Sequence, residues 1–304
     1  MSEEHKASES EKEALEKYFL QFLNLEKRFP LLPGINNQEV LAGLMGLEEE
    51  EFTKLRNTYK SNAKEAALEL LKEDEVMAWV DQLPFEKSDT IVALGDSITD
   101  DLQGWFGILE HVLELIIPDA NMKFINAGVS NNTSTDALQR LNRDVLDHEP
   151  DWVIVALGTF DAQRLFVSPD RNLVSLADYW ENLNDIEQNV KRVTDNPLIW
   201  ITPPPVLTEM MQQLPIFQYT IEEKDLNQYR EVLRTKTGYI VDPHGKRMGG
   251  HPPEAWNYLG DGLHPSVAGH SNTVRSILET LAENKGSVEG TYIEKPDDFE
   301  GNDE

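Results

Sequence analysis

Between residues 90 and 242, five short apolar runs alternate with longer amphipathic stretches, and few folds accommodate that alternation. The runs are 90–94, 122–126, 152–157, 198–202 and 239–242. The stretches 104–117, 134–147, 176–194 and 222–236 carry apolar residues at helical spacing. Ile91-Val92-Ala93-Leu94 is apolar at consecutive positions, as in a strand covered on both faces. The pattern predicts a three-layer α/β/α sandwich around a five-stranded parallel sheet. A closing helix is expected over 265–284, and the acidic stretch 286–304 is expected to be disordered.

Residues 1–85 read differently, as a helical N-terminal extension of unassigned role ahead of an α/β domain over 86–285. Ser10 and Glu13 form a capping-box pattern, followed by a stripe of Leu15, Phe19, Phe22, Leu23 and Leu25. Pro30, Pro33 and Gly34 break the chain. Asn36 or Asn37 is placed to cap a second helix bearing Val40, Leu41 and Leu44, with further helices over 48–71 and 76–83. The stretch 38–59 has helix-turn-helix spacing, but Glu48 to Glu51 would face phosphates with like charge. These helices are a candidate surface for homo-oligomer formation.

The formal net charge of -28 argues against nucleic acid and anionic membranes as partners. Solubility accounts for this acidity, and a high-salt habitat is a second reading. No apolar run approaches the roughly 20 residues that span a bilayer. The start, Met1-Ser2-Glu3-Glu4, lacks the basic and apolar blocks of a secretory leader. With no cysteine, thiolate chemistry is excluded, and a cytoplasmic protein is expected.

In an open parallel sheet, ligands bind at the carboxyl ends of the strands. Here those ends lead into Gly95-Asp96-Ser97, the turn 127–132, Gly158-Thr159-Phe160-Asp161, Pro203-Pro204-Pro205 and the loop after Asp242. By itself Ser97 has a plain reading as a helix N-cap, as does Thr99. Far along the chain, Asp261 stands three residues before His264, and a serine followed by such a pair is one order of a Ser-His-Asp triad. Acyl transfer needs an activated nucleophile, a base that returns the proton to the leaving group, and a carboxylate that orients the base. Ser97, His264 and Asp261 are the candidates. In isolation, His264 reads as a polar residue ahead of a helix and Asp261 as a turn former.

Gly95-Asp96-Ser97-Ile98-Thr99 and Asp261-Gly262-Leu263-His264-Pro265, in that order, resemble the first and last blocks of the SGNH, or GDSL, hydrolases. These are serine esterases and lipases of flavodoxin-like fold, and the resemblance covers about residues 88–284. It implies a small-molecule ester substrate, no cofactor and no metal. It also implies an oxyanion hole built from the Ser97 N–H and the second block, here Ser130-Asn131-Asn132-Thr133. Asn131 stands where the family has a glycine whose amide donates. Asn131 or Asn132 is placed to fill the gap left by Phe160, which replaces the third block's asparagine. Losing one oxyanion donor typically costs about 10²–10³ in turnover, so a weakened enzyme is expected rather than a dead one.

Phe160, Asp161 and Arg164 are candidate pocket residues, with Trp105, Pro204 and Trp256; core packing is the competing reading. Asp96, Asp100 and Asp101 cluster without predicting a metal, since carboxylates at a helix start complement its dipole. His111, His148, His244, His251 and His270 lack a comparable partner pattern. The expectation is a serine esterase acting on small acyl esters through an acyl-enzyme. The rival is a weak or inactive binding or scaffold protein that keeps the fold, motivated by Phe160 and Asn131.

Overall fold

The computed structural model describes residues 20–214, 217–249 and 252–284. Ser10, Glu13, Leu15, Phe19, His251 and the acidic stretch 286–304 lie outside them. The five apolar runs form β1 (Thr90–Gly95), β2 (Lys123–Gly128), β3 (Trp152–Ala156), β5 (Ile199–Ile201) and β7 (Tyr239–Val241). They make one sheet in the order β2-β1-β3-β5-β7, with every neighbouring pair parallel. The strand order reverses between β1 and β3, and that switch point is where a doubly wound sheet places its site. A two-stranded antiparallel ribbon, β4 (Arg164–Leu165) with β6 (Tyr219–Thr220), was not legible in the apolar pattern because each strand is two residues long.

Strand side chains alternate between the two faces, so each strand feeds two cores. Ile91, Ala93, Trp152, Ile154, Ile199 and Ile201 pack into one core. Helices Trp105–Ile116 and Val267–Glu283 cover it. Val92, Leu94, Val153, Val155, Leu198 and Trp200 enter the other core, under helices Leu176–Val190 and Glu223–Arg234.

The helices ahead of the sheet join this architecture. Helix Glu49–Leu70 places Ala63, Ala66, Ala67 and Leu70 in the first core, and helix Asp74–Val80 adds Val76 and Val80. A satellite cluster of Leu20, Ile35, Leu41, Ala42, Met45, Leu47, Phe52 and Tyr59 lies beside them. Asn37 caps helix Gln38–Leu44 by accepting from the Glu39 N–H.

Two elements differ from the sequence reading. The expected helix 134–147 is broken into Ser134–Gln139, Leu141–Asp144 and a 3₁₀ turn Leu146–His148. The first break falls at Arg140, whose side chain turns inward to carbonyls at the strand ends. Of the expected stripe, only the end falls within the described residues: Leu20, Gln21 and Phe22 form a turn, Leu23 and Asn24 are irregular, and Leu25–Arg28 is helical.

Candidate active site

Strand β1 ends at Gly95, a position where no side chain fits. A Cβ on Gly95 would lie 2.1 Å from Thr99 Oγ1, and one on Gly128 would lie 2.5 Å from the Asp100 nitrogen. The two glycines let the turn after β1 settle onto the ends of β1 and β2. Asp96, not Ser97 or Thr99, is the N-cap: its carboxylate accepts from the Ile98 N–H at 2.9 Å. Ser97 is therefore the first residue of helix Ser97–Asp100, and its side chain is free of capping duty. An N–H at that position has no acceptor within its own helix.

The turn brings Ser97 Oγ to 2.8 Å from His264 Nε2. His264 Nδ1 lies 2.7 Å from Asp261 Oδ2. Asp261 Oδ1 also accepts from the N–H groups of Leu263 at 2.9 Å and His264 at 3.0 Å, which fixes the carboxylate within its own turn. A carboxylate at Nδ1 assigns the ring proton there, so Nε2 accepts from the Ser97 hydroxyl. Helix Val267–Glu283 starts just beyond, capped by Ser266 rather than opened by Pro265.

Electrostatics suit proton transfer. Burial opposes an imidazolium at His264, but the charge and hydrogen bond of Asp261, with Asp101 and Asp96 nearby, hold its pKa above the ordinary value. Burial likewise pushes Asp261 up, and the paired imidazole and two backbone bonds outweigh this and draw it down. Asp96 is raised to about 7 by burial. Such an arrangement can take a hydroxyl proton and store it on a stabilised imidazolium.

The second block sits beside this turn, since the Val129 N–H donates to the Gly95 carbonyl at 3.1 Å. Asn131 has φ 60°, the left-handed region that asparagine tolerates better than most residues. Asn132 is buried, and its Oδ1 accepts from Arg140 Nε at 2.7 Å. Asp161 is fully buried and accepts from the Ser134 N–H at 3.0 Å and from its hydroxyl, which anchors the loop from behind. Burial raises Asp161 to about 6.

Three candidate pocket residues are placed elsewhere. Phe160 is enclosed in the second core with its ring edge-on to Tyr219, and Asp161 is spent on Ser134, so neither forms a pocket mouth. Arg164 belongs to the ribbon, where Asp225 holds it at 2.6 and 3.0 Å. An aromatic ring and an ion-paired guanidinium each satisfy themselves locally. Trp105 is in the first core, Pro204 is buried and Trp256 is exposed. Asp96, Asp100 and Asp101 diverge to Ile98, to Asn24 and Lys27, and to His270. His270 thus has a partner after all, Asp101 at 3.1 Å, in a buried pair between two elements far apart in sequence. His111 pairs with Glu114 on its own helix.

Two participants had no usable sequence signal. Arg140 joins both strand ends: its guanidinium reaches Ala127 O at 2.6 Å and Gly95 O at 2.9 Å. Phe22 lies flat on the His264 ring, with centroids 4.1 Å apart and planes 9° apart. Among the described residues, no helix is long and apolar enough to cross a membrane.

Comparisons with known proteins bear on the family and the fold. An acetylxylan esterase of Geobacillus stearothermophilus is 26% identical over 220 residues, which is 64% of this chain and 94% of that protein. The thioesterase 1/protease 1/lysophospholipase L1 of Escherichia coli is 28% identical over 117 residues, 37% of this chain and 50% of that protein. A lipase/acylhydrolase structure from Enterococcus faecalis matches with TM-score 0.50 and 26% identity, covering 66% of this chain and 97% of that one. A structure of the Geobacillus esterase gives 0.51 at 22% identity over 65% and 95% of the two chains, a likeness of fold. Residues 93–271, more than half of the chain, match the GDSL-like Lipase/Acylhydrolase family, and the chain belongs to that family of ester hydrolases.

Proposed function

We propose that the protein is a serine esterase that cleaves small acyl esters through an acyl-enzyme on Ser97. The hydrogen-bonded chain from Ser97 through His264 to Asp261 carries this reading. Ser97 Oγ attacks the ester carbonyl as its proton passes to His264 Nε2. His264 then gives that proton to the departing alcohol oxygen, leaving the acyl group on Ser97. Water attacks the acyl-enzyme with the same proton route and restores Ser97. Asp261 keeps the ring oriented and stabilises its positive charge. The Ser97 and Asn131 N–H groups are the proposed oxyanion donors, with Asn132 held in place by Arg140.

The Geobacillus acetylxylan esterase supports the assignment: its catalytic mutants replace a serine, an aspartate and a histidine, the last two three positions apart. Its name makes acetyl esters the first substrates to try, and the Escherichia relative adds thioesters and lysophospholipids. An organophosphonate is expected to label Ser97. Ser97→Ala should abolish labelling and lower ester turnover by roughly 10⁴-fold or more. Unchanged turnover in that variant refutes the nucleophile. The second reading, a binding or scaffold protein, draws on Phe160 in the core where the family's asparagine would donate. Wild-type protein that turns over no acetyl, butyryl, thioester or lysophospholipid substrate would favour it.

A further inference from the structure

Residues 20–28 precede the part of the chain that matches the family, yet they are bound across the catalytic turn. The Phe22 ring covers His264, and the Phe22 carbonyl accepts from the Ser130 hydroxyl, one residue before Asn131. Arg28 donates to the Ser130 carbonyl at 2.8 Å. The Asn24 amide reaches the Asp100 carbonyl at 3.0 Å and its carboxylate at 2.8 Å, and Lys27 pairs with that carboxylate at 2.6 Å. The Leu102 N–H donates to the Gln21 carbonyl at 2.7 Å. The polar contacts all fall on the two loops that carry Ser97 and the second block, and the Phe22 ring falls on the His264 turn. With the segment in place, Ser97 is 1% exposed and His264 5% exposed. Attack needs a carbonyl carbon within about 3–3.5 Å of Oγ, and at 1% exposure Ser97 leaves no open approach of that size in this conformation.

We propose that residues 20–28 form a strap that closes the site and lifts before an ester binds, so that turnover scales with the open fraction. The inference rests on the reading of Ser97 as nucleophile. The strap is suited to lifting. Its apolar attachments, Leu20, Leu23 and Leu25, belong to the satellite cluster rather than to either core flanking the sheet. Gln21 Nε2 and Asn24 Oδ1 are buried without a partner among the described residues, and opening returns both to water. A competing role for Phe22, holding the His264 ring in its working position, predicts opposite effects of its removal.

The test uses the full chain, a bulky aryl phosphonate as the probe of Ser97, and two variants that loosen different ends of the strap. Phe22→Ala removes the cover from the imidazole, and Lys27→Met removes the charged half of the clasp on Asp100, leaving Asn24, without touching His264. Both are expected to label roughly tenfold faster than the wild type. Where the wild type labels, slower or equal labelling in both variants overturns the strap. Hydrogen exchange at the Leu102 amide reads opening without any chemistry. It is expected to be faster than at the β1 amides and to quicken in both variants. Exchange at Leu102 as slow as in β1 overturns the strap whatever the labelling. Absent labelling with fast, variant-sensitive Leu102 exchange upholds the strap and instead discards Ser97 as nucleophile.

Discussion

Arg140 Nε donates to Asn132 Oδ1 at 2.7 Å, while the terminal nitrogens of the same guanidinium reach the carbonyls of Gly95 and Ala127. One buried side chain therefore ties the end of β1, the end of β2 and the second block together, and Asp144 at 3.0 Å supplies its counter-charge. Arg140→Met strands these acceptors and is expected to cost about 2–4 kcal/mol, measured by denaturant unfolding. The proposed oxyanion loop loses its tether too, so kcat should fall by roughly 10²-fold with KM less affected. Arg140→Lys, with one point of attachment, should recover stability better than turnover.

The proposed general base, His264, works only when neutral. The pKa of His264 is held above 6.5, so kcat/KM is expected to rise with pH through a value higher than that of free imidazole side chains. Asp96 titrates near 7 against the same ring, so the observed limb belongs to the coupled pair. Asp261→Asn removes the charge that holds His264 up. The limb should move to lower pH while kcat falls by roughly 10⁴-fold. A limb that stays in place would separate Asp261 from the base. For stability the sign is the reverse of activity: the folded state holds the His264 proton more tightly, so its contribution is full below pH 6.5 and is lost as pH rises through the folded pKa.

Asp161 offers a second pH test, on stability alone. Its folded pKa of about 6 exceeds the model-peptide value of 3.8 because burial penalises the charge. The folded state therefore binds the proton more tightly, and this contribution is present below pH 3.8 and is lost as pH rises through 6. Asp161→Asn keeps an oxygen for the Ser134 N–H and removes the titration. Unfolding measured from pH 4 to 7 should decline less steeply in that variant than in the wild type. Asp161→Ala leaves the Ser134 N–H and hydroxyl without their acceptor and should lose about 2–4 kcal/mol at any pH in that range.

Local pattern made the sheet legible. Consecutive apolar residues at 91–94 and 152–155 announced strands covered on both faces, and the glycine at 95 marked where β1 had to end. Asp261 and His264 are neighbours in sequence, so their pairing was readable, and Ser97 stood out in the turn that ends an apolar strand. What escaped was partnership across distance. Phe22 and Leu25 have helical spacing, which reports that a face is buried but not that His264 lies beneath it. Arg140 reads as a polar position on an amphipathic helix, because its acceptors are carbonyls that only the assembled strand ends bring together. Asp101 and His270 escaped for the same reason, each being unremarked by its own neighbours.

Phe160 poses the sharpest question for the oxyanion hole, because restoring the family's asparagine there looks like a repair. The surroundings argue otherwise. Phe160 is fully buried in the second core, with Tyr219 edge-on at 6.3 Å, so position 160 is filled as a core site. Phe160→Asn would remove a large apolar side chain and bury an amide in its place. The expected loss is about 3–5 kcal/mol, seen as a lowered denaturation midpoint. Turnover of an acetyl ester, measured where the variant is still folded, should not rise. An increase approaching the roughly 10²-fold that one oxyanion donor supplies would show that the core can turn the new amide toward Ser97. Its absence would leave the backbone N–H groups of Ser97 and Asn131 as the donors the reaction depends on.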